Sequence, residues 1–173
     1  MKFNEKTLSS ESIYKGKVLN LKKDKVELID NSTSYREVVE HSGGACVLCE
    51  MDGKILLVNQ FRYPYKCELL ELPAGKINPN EQPEITAIRE LEEEGGIKAE
   101  RVELMFKVYP SPGYTNEIIY VYKAVGKIEK TQTRLDEDEF LDAVWLDKQT
   151  LKQMIQKGEI KDGKTLIGLL AVL

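Results

Sequence analysis

The sequence is poor in the side chains that most zinc and redox sites use: it has one histidine, His41, and three cysteines, Cys46, Cys49 and Cys67. Cys46 and Cys49 form a C-x-x-C pair, a spacing that occurs in zinc and redox sites. A structural zinc site usually takes four ligands, and the three thiols lie in or beside apolar runs. Since free cysteine usually behaves as a small hydrophobic side chain, we expect all three to pack in the core.

Long apolar runs and an excess of positive charge are also missing. No run approaches the roughly 20 apolar residues that span a bilayer, and the amino terminus, MKFNEKTLSSES, has no apolar segment of the signal-peptide kind. The net charge of −4 disfavours nucleic acid, whose phosphates require clustered Lys and Arg. We therefore expect a cytoplasmic protein with neither a membrane nor a nucleic-acid partner.

What is present indicates a folded chain. Its 173 residues suit one ordinary domain, and 42% hydrophobic with 31% charged residues is the balance of a globular protein. No internal repeat or low-complexity linker interrupts the sequence. We expect residues 1–40 to form an amino-terminal strand region and residues 41–173 to form the main part of the same domain.

Short apolar runs between turn residues predict mostly strands with a few helices, so the expected fold class is α+β. Turns are predicted at Lys22-Lys23-Asp24 and at Asp52-Gly53, and the second is a strong hairpin signal. Residues 55–58, ILLV, are apolar throughout, so both faces of that strand should be covered. Further strands are predicted over VELMFKVYP, NEIIYVYKAV and DAVWLD, and closing helices over KQTLKQMIQKG, which Gly158 ends, and KTLIGLLAVL.

One helix is predicted inside this strand-rich order. Pro83 suits its first turn, and Gly95-Gly96 suit its end. Apolar residues recur between them at helical spacing: Ile85, Ala87, Ile88 and Leu91. Glu90, Glu93 and Glu94 lie three and four residues apart, so they share one face near the end of this helix.

That acidic face is unfavourable by itself. Like charges at this spacing cost roughly 0.2–0.5 kcal/mol per pair, and anions near a helix C-terminus cost about 0.3–1 kcal/mol each. Arg89 can offset only part of the penalty. Two interpretations follow: a solvated acidic surface, or a platform that is completed by hard divalent cations, which take oxygen ligands.

The stretch GKINPNEQPEITAIRELEEEGGI matches the Nudix box, G-x(5)-E-x(7)-R-E-U-x-E-E-x-G-U, in which U is aliphatic. The fixed positions are filled by Gly75, Glu81, Arg89, Glu90, Leu91, Glu93, Glu94, Gly96 and Ile97. The chain thus resembles the Nudix hydrolases. This resemblance implies a mixed β-sheet between helices and the hydrolysis, with Mg²⁺ or Mn²⁺, of a nucleoside diphosphate that is linked to another group.

The resemblance also implies which residues bind metal. Glu90, Glu93 and Glu94 would hold two or more Mg²⁺ or Mn²⁺ ions, together with the main-chain oxygen of Ala74. These four residues therefore form the expected metal site.

Other box residues have structural roles by the same resemblance. Glu81 and Arg89 would form a salt bridge, and Arg89 would also steady the metal-binding carboxylates. Gly75 would allow a tight turn before the helix, and Gly96 would complete the box at its far end.

Segments outside the box narrow the resemblance to the ADP-ribose pyrophosphatases. The segments are ELPAGKI, YREVVEHSGGACVL, VNQFRYPY and SPGYTNEIIYVY, and Pro112 lies where that subfamily has a marker proline. The implied reaction converts ADP-ribose to AMP and ribose 5-phosphate. Alternatives are a broader nucleoside-diphosphate-sugar or dinucleotide pyrophosphatase, and a module that senses ADP-ribose without cutting it.

Several residues are candidates for binding the substrate. Arg62 can bind phosphate through two parallel hydrogen bonds, although it could also be an ordinary surface arginine. Arg36 and Glu37 would help to hold the adenosine half, by resemblance. Tyr14 would either stack on the base or pack in the core.

The acidic run DEDEF, which precedes DAVWL, is either a polar turn or, by resemblance, a mobile loop that carries a catalytic glutamate. Glu137 and Glu139 are the candidates for the base that activates water, with Glu137 slightly favoured by its position. If neither is the base, Glu93 and Glu117 are the next candidates, and Glu117 is also a candidate for binding the substrate.

The same resemblance implies a homodimer. The amino-terminal strands, over residues 13–30, would contribute to the partner's substrate site. Their richness in strand makes it improbable that they extend freely into solvent.

Overall fold

The computed structural model describes residues 3–135 and 139–173. The chain divides into two compact units, the first formed by Met1–Gly43 with Tyr109–Ile118 and the second by Gly44–Val108 with Ile119–Leu173. Strands and helices are both present, and the predicted α+β class is confirmed.

The first unit is built on an antiparallel sheet of β1 (Lys6–Lys15), β2 (Asn20–Glu27) and β3 (Thr33–Glu40), in that order. The turn predicted at Lys22-Lys23-Asp24 is wrong, since β2 runs straight through it. The chain turns earlier, where Gly16 N donates to Leu19 O at 3.0 Å. Residues 22–24 instead pair with β1 on one side and with β3 on the other, and the charge of Lys22 lies 3.5 Å from Asp24 and 3.2 Å from Glu40 of β3.

The second unit contains a mixed sheet and an antiparallel sheet. The mixed sheet has the order β8 (Ala74–Lys76), β4 (Gly44–Leu48), β10 (Ile119–Lys130) and β9 (Ile97–Val108), in which β4 and β10 are parallel. The other sheet joins β5 (Glu50–Met51), β6 (Lys54–Arg62), β7 (Cys67–Glu71) and β11 (Leu141–Asp147).

The hairpin predicted at Asp52-Gly53 connects β5 to β6. Its two central residues have positive φ angles of 52° and 75°, which a two-residue turn between twisted antiparallel strands requires. This prediction is confirmed, because the signal is local in the sequence.

The helices of the second unit are α1 (Pro83–Glu93), α2 (Lys148–Gln156) and α3 (Gly163–Leu170). Helix α1 begins at Pro83 as predicted, and Gly96, with a φ angle of 60°, follows its end. The predicted end of α2 is likewise confirmed, with Gly158 at a φ angle of 70°. None of the helices in the described part of the chain is long and apolar enough to cross a bilayer.

Helices cover both faces of strand β4. Ala45, Val47 and Cys49 pack in a cluster that includes Leu91 of α1. Cys46 and Leu48 point the other way, into a cluster that is completed by side chains of α2 and α3: Leu151 and Leu169. The predicted mixed sheet between helices is therefore confirmed, and residues 55–58 are buried as expected.

Two packing predictions need correction. Cys46 and Cys49 are buried, but Cys67 is exposed, because β7 is exposed over its first two residues and becomes buried only at Glu71. Ile85 was expected in the apolar stripe of α1, yet 54% of it is exposed. The buried face of the helix instead passes through Thr86, Ala87, Glu90 and Leu91.

Candidate active site

The acidic end of α1 is organised by one arginine. Arg89 donates from Nη1 to Glu90 Oε1 at 2.6 Å and to Glu93 Oε2 at 2.8 Å, and from Nε to Glu81 Oε1 at 3.0 Å. The repulsion that the sequence implies is thus partly balanced by a single cation that contacts three carboxylates. The hydrogen bond from Arg89 lowers the pKa of Glu81 to about 2, and the Asn78 amide adds to this effect.

Glu94 differs from Glu90 and Glu93 because Arg89 does not contact it in the described part of the chain. The residue is 2% exposed, and its carboxylate accepts a hydrogen bond from Ala74 N at 2.8 Å. Burial raises the pKa of Glu94 to about 8, with further contributions from the charges of Glu90 and Glu139. Burial also raises the pKa of Glu90, in spite of Arg89. The end of the helix is therefore a buried acidic region whose charge Arg89 and Arg62 compensate only in part.

Gly75 makes room for this region. A Cβ atom at position 75 would lie 1.8 Å from Glu90 Oε1, which is far closer than atoms can approach. The sequence suggested that Gly75 permits a tight turn, but it lies within strand β8 and has no positive φ angle. Glycine is required here because the Glu90 carboxylate packs against the strand.

The chemistry of these donors fits a hard divalent cation. Carboxylate oxygens are the ligands that Mg²⁺ prefers, and two of the three carboxylates, Glu90 and Glu94, are buried. Within the described ranges, no three acidic, histidine or cysteine side chains are already arranged around a common point as metal ligands. The carboxylate oxygens instead accept hydrogen bonds from Arg89 and from Ala74 N.

A second buried ionic cluster was missed by the sequence analysis. Arg62 donates from Nε and Nη2 to the two oxygens of Glu71 at 2.6 and 2.7 Å, and Lys164 Nζ also contacts Glu71. Lys164 is in turn 3.1 Å from Asp162. These contacts hold the pKa of Glu71 below its usual range, against the effect of burial. The available signal was Glu71 itself, the first residue of ELPAGKI.

Arg62 therefore lies in a more constrained place than a surface arginine would. Two of its nitrogens donate to Glu71. Its charge partly opposes the rise in the pKa of Glu94 that burial causes. The guanidinium is close enough to the acidic end of α1 to act on it electrostatically.

Of the two candidates for the base that activates water, the structure describes Glu139 but not Glu137. Glu137 lies outside the described residues. Glu139 lies in the second unit with the box, and its charge raises the pKa of both Glu90 and Glu94. Glu139 is therefore in electrostatic reach of the expected metal ligands.

The remaining candidates lie in the first unit. Arg36 pairs with Glu5, with Nε 2.9 Å from Oε2. Glu117 Oε1 is 3.4 Å from His41 Nδ1. Tyr14 is 57% exposed on β1, so the alternative of a core tyrosine is wrong. Exposed positions are also occupied by Glu37 and Pro112.

Comparison with known proteins gives matches over nearly the whole chain. Residues 40–167 match the NUDIX domain, and residues 5–39 match the nucleoside diphosphate sugar hydrolase N-terminal domain. The chain is 42% identical to the methanol dehydrogenase activator of Bacillus methanolicus, over 95% of this chain and 90% of that protein. It is 40% identical to the ADP-ribose pyrophosphatase of Bacillus subtilis (strain 168), over 93% of this chain and 88% of that protein.

A solved structure supports the fold. The crystal structure of an ADP compounds hydrolase superposes with a TM-score of 0.84, covering 97% of this chain and 91% of the other, at 18% identity. Identity at that level is evidence for a shared fold alone.

Proposed function

The chain belongs to the Nudix family of hydrolases, and from that premise we propose that it cleaves the diphosphate bond of ADP-ribose to give AMP and ribose 5-phosphate. The observation that carries this proposal is the buried acidic end of α1, where Glu90 and Glu94 are 7% and 2% exposed. A module that only senses ADP-ribose has no need of buried carboxylates, which cost free energy unless a cation neutralises them.

We propose that Glu90, Glu93 and Glu94, with the main-chain oxygen of Ala74, bind two or more Mg²⁺ or Mn²⁺ ions. When bound, such ions neutralise the diphosphate charge and lower the pKa of the attacking water. Arg89 orients two of these carboxylates through its contacts with Glu90 and Glu93.

Removal of a proton from the attacking water requires a carboxylate that is not engaged by metal, since a base needs a free lone pair within hydrogen-bond reach of the water. We propose that Glu137 or Glu139 has this role, with Glu137 slightly favoured by its position in the resemblance. The charge of Glu139 acts on Glu90 and Glu94, which supports its candidacy.

Binding of the substrate is proposed for residues of both units. Arg62 would contact the diphosphate in the second unit, where Glu71 fixes its guanidinium. In the first unit the proposed residues are Tyr14, Arg36, Glu37, Pro112 and Glu117. The match of residues 5–39 to the N-terminal domain of nucleoside diphosphate sugar hydrolases supports a part for this unit in substrate binding.

We also propose a homodimer. All ten residues of β1 are exposed, among them the apolar side chains of Leu8, Ile13 and Tyr14. Exposed apolar side chains on a strand are more stable against a second copy of the chain than in water. The expected cytoplasmic location stays a prediction.

A substrate panel tests the proposal. ADP-ribose, other nucleoside-diphosphate sugars and dinucleotides are incubated with the protein and Mg²⁺, and phosphate is measured after phosphatase treatment of the products. We expect ADP-ribose to have the highest kcat/KM. Hydrolysis of another nucleotide sugar in preference to ADP-ribose would favour the broader activity, and hydrolysis of none would contradict the proposed function.

Metal removal is the second part of this test. Activity should stop in EDTA and return with Mg²⁺ or Mn²⁺. Glu94→Gln should lower kcat by about 10²-fold or more, since charge stabilisation by metal is worth several kcal/mol. Glu92→Gln, at a variable box position of the same helix, is the matched control and should stay near wild type. Full activity without metal would contradict the mechanism.

A second candidate function is activation of a methanol dehydrogenase, which the 42% identity to a protein of that name favours. The test adds the chain to a methanol dehydrogenase and measures its rate of methanol oxidation. Glu94→Gln separates the two functions: if activation depends on hydrolysis, this variant should not activate. Activation by the inactive variant would indicate a direct binding role.

A further inference from the structure

Helix α3 is attached at two points to the segment of chain that leads into β8. The hydroxyl of Thr165 accepts a hydrogen bond from Leu72 N at 2.8 Å, and Thr165 is fully buried. One residue earlier on the helix, Lys164 Nζ pairs with Glu71, which is 2% exposed. Both contacts bring the carboxyl-terminal helix onto residues 71–72.

The orientation of Thr165 is itself fixed. Asp162 caps α3 by accepting from Thr165 N at 3.0 Å and from the Thr165 hydroxyl at 2.6 Å. Because the hydroxyl donates its proton to Asp162, its lone pairs are directed elsewhere and one accepts from Leu72 N. Asp162 also lies 3.1 Å from Lys164 Nζ. The two attachments are thus held by one capping residue.

The attached segment continues directly to the acidic site. Pro73 O accepts from Val47 N at 3.0 Å, and Ala74 N donates to Glu94 Oε2 at 2.8 Å. The position of Ala74, and through it that of the Glu94 carboxylate, depends on how the preceding residues are held. On one side they are held by β4, and on the other by α3.

We propose that Thr165 and Lys164 of α3 are positioning residues that hold residues 71–74 in place, so that Ala74 and Glu94 keep the arrangement needed to bind the divalent cation. This inference rests on the metal-dependent function proposed above. Residues that support metal ligands without touching the metal typically change metal affinity by 10- to 100-fold when they are removed. No residue of α3 belongs to the Nudix box, so the box pattern alone gives no hint of this role.

The test compares Thr165→Val with Thr165→Ser. Valine keeps the shape of threonine but leaves the buried Leu72 N–H without its acceptor, whereas serine restores the acceptor. We expect Thr165→Val to weaken Mn²⁺ binding, measured by electron paramagnetic resonance without substrate, by about tenfold or more. Thr165→Ser should recover most of the affinity. Amide hydrogen exchange at Leu72 and Ala74 in EDTA should be faster in the valine variant.

The control for a loss of stability alone is Asp147→Ala. It removes the cap of α2, where Asp147 accepts from Thr150 N at 2.9 Å, and leaves residues 71–74 untouched. We expect it to lower the unfolding temperature without changing the Mn²⁺ affinity or the amide hydrogen exchange at Leu72 and Ala74. If Thr165→Val also lowers only the unfolding temperature, Thr165 has a structural role and the inference is wrong.

Lys164 provides an independent variant if Thr165→Val does not fold. Lys164→Met should weaken Mn²⁺ binding and Lys164→Arg should restore it. The inference is wrong if Lys164→Met, and Thr165→Val where it folds, bind Mn²⁺ as tightly as the unmutated protein does. If the unmutated protein also hydrolyses ADP-ribose, the proposed function is unaffected by that result. A wild-type protein that binds no Mn²⁺ contradicts both.

Discussion

At the scale of single residues, the acidic end of α1 depends on a few specific hydrogen bonds to its carboxylates. Arg89 contacts Glu81, Glu90 and Glu93 and so limits the repulsion among carboxylates. Glu94 is supported by one backbone amide and is the least compensated group. A site built in this way is stable as a fold yet remains receptive to cations, because the positive charge that the protein itself supplies is incomplete.

Glu139→Gln and Glu137→Gln identify the base. We expect the variant that removes the base to lower kcat by about 10²–10⁴-fold at saturating Mg²⁺ and substrate, with little change in KM, since loss of a general base has that size. The other variant should retain most of its activity. If both variants and the double variant keep a near-normal kcat, the base must be sought at Glu93 or Glu117.

Gly75→Ala tests the close approach of β8 to Glu90. The added Cβ atom would meet Glu90 Oε1 at 1.8 Å, so the carboxylate must move. A displacement of about 1 Å in a catalytic site can cost 10²-fold in rate, and we expect a loss of that order in kcat. Gly163→Ala is the control, because a Cβ there meets nothing within 4 Å. Equal activity of the two variants would show that Glu90 tolerates displacement.

At the scale of elements, α2 and α3 begin in the same way and α1 begins differently. Asp147 and Asp162 each accept from the backbone amide of the threonine three residues later. Gln82, before α1, makes no side-chain cap, and Pro83 starts that helix instead. The start of α1 was predicted from Pro83, whereas the two aspartate caps are contacts that the structure adds.

The cap of α2 is expected to contribute stability without affecting catalysis. Asp147→Ala should lower the free energy of unfolding by about 1 kcal/mol, the usual value for a lost N-cap, as measured by urea denaturation. Asp162→Ala should lower it further, because Asp162 also pairs with Lys164. An Asp162→Ala variant no less stable than Asp147→Ala would mean that this pairing adds nothing.

At the scale of the whole molecule, the exposed strand β1 is the feature that a single copy of the chain leaves unexplained. Leu8 and Ile13 are 43% and 51% exposed, and each lies at an irregularity in the pairing of β1 with β2. Such bulges discourage indiscriminate pairing along an edge strand. Apolar side chains on a strand of this kind suit a specific interface more than a solvated surface.

Ile13→Asp is expected to weaken the proposed dimer. A charge placed in an apolar interface must be desolvated without a partner, so sedimentation velocity should show a shift towards monomer, and KM for ADP-ribose should rise. Ser12→Asp adds the same charge at the neighbouring position and should associate as the wild type does. A wild-type protein that is a fully active monomer at assay concentration would contradict the homodimer.

The sequence and the tertiary structure contributed different parts of this description. The sequence determined the fold class, the hairpin at Asp52-Gly53, the helix after Pro83 and the acidic face of that helix. Each of these depends on residues that lie only a few positions apart, so their spacing is sufficient. The turn predicted at residues 22–24 is wrong because this stretch pairs with β1 on one side and with β3 on the other, which local preference does not reveal.

Only the tertiary structure decided what surrounds the acidic face. Lys164 and Glu71 are separated by 93 positions and meet because α3 packs against the end of β7. Glu94 is likewise buried by packing of α1 on β4 and β8, and this burial raises its pKa to about 8. Burial and contacts between distant residues depend on how the elements pack, and a single sequence contains no local pattern that specifies those pairs.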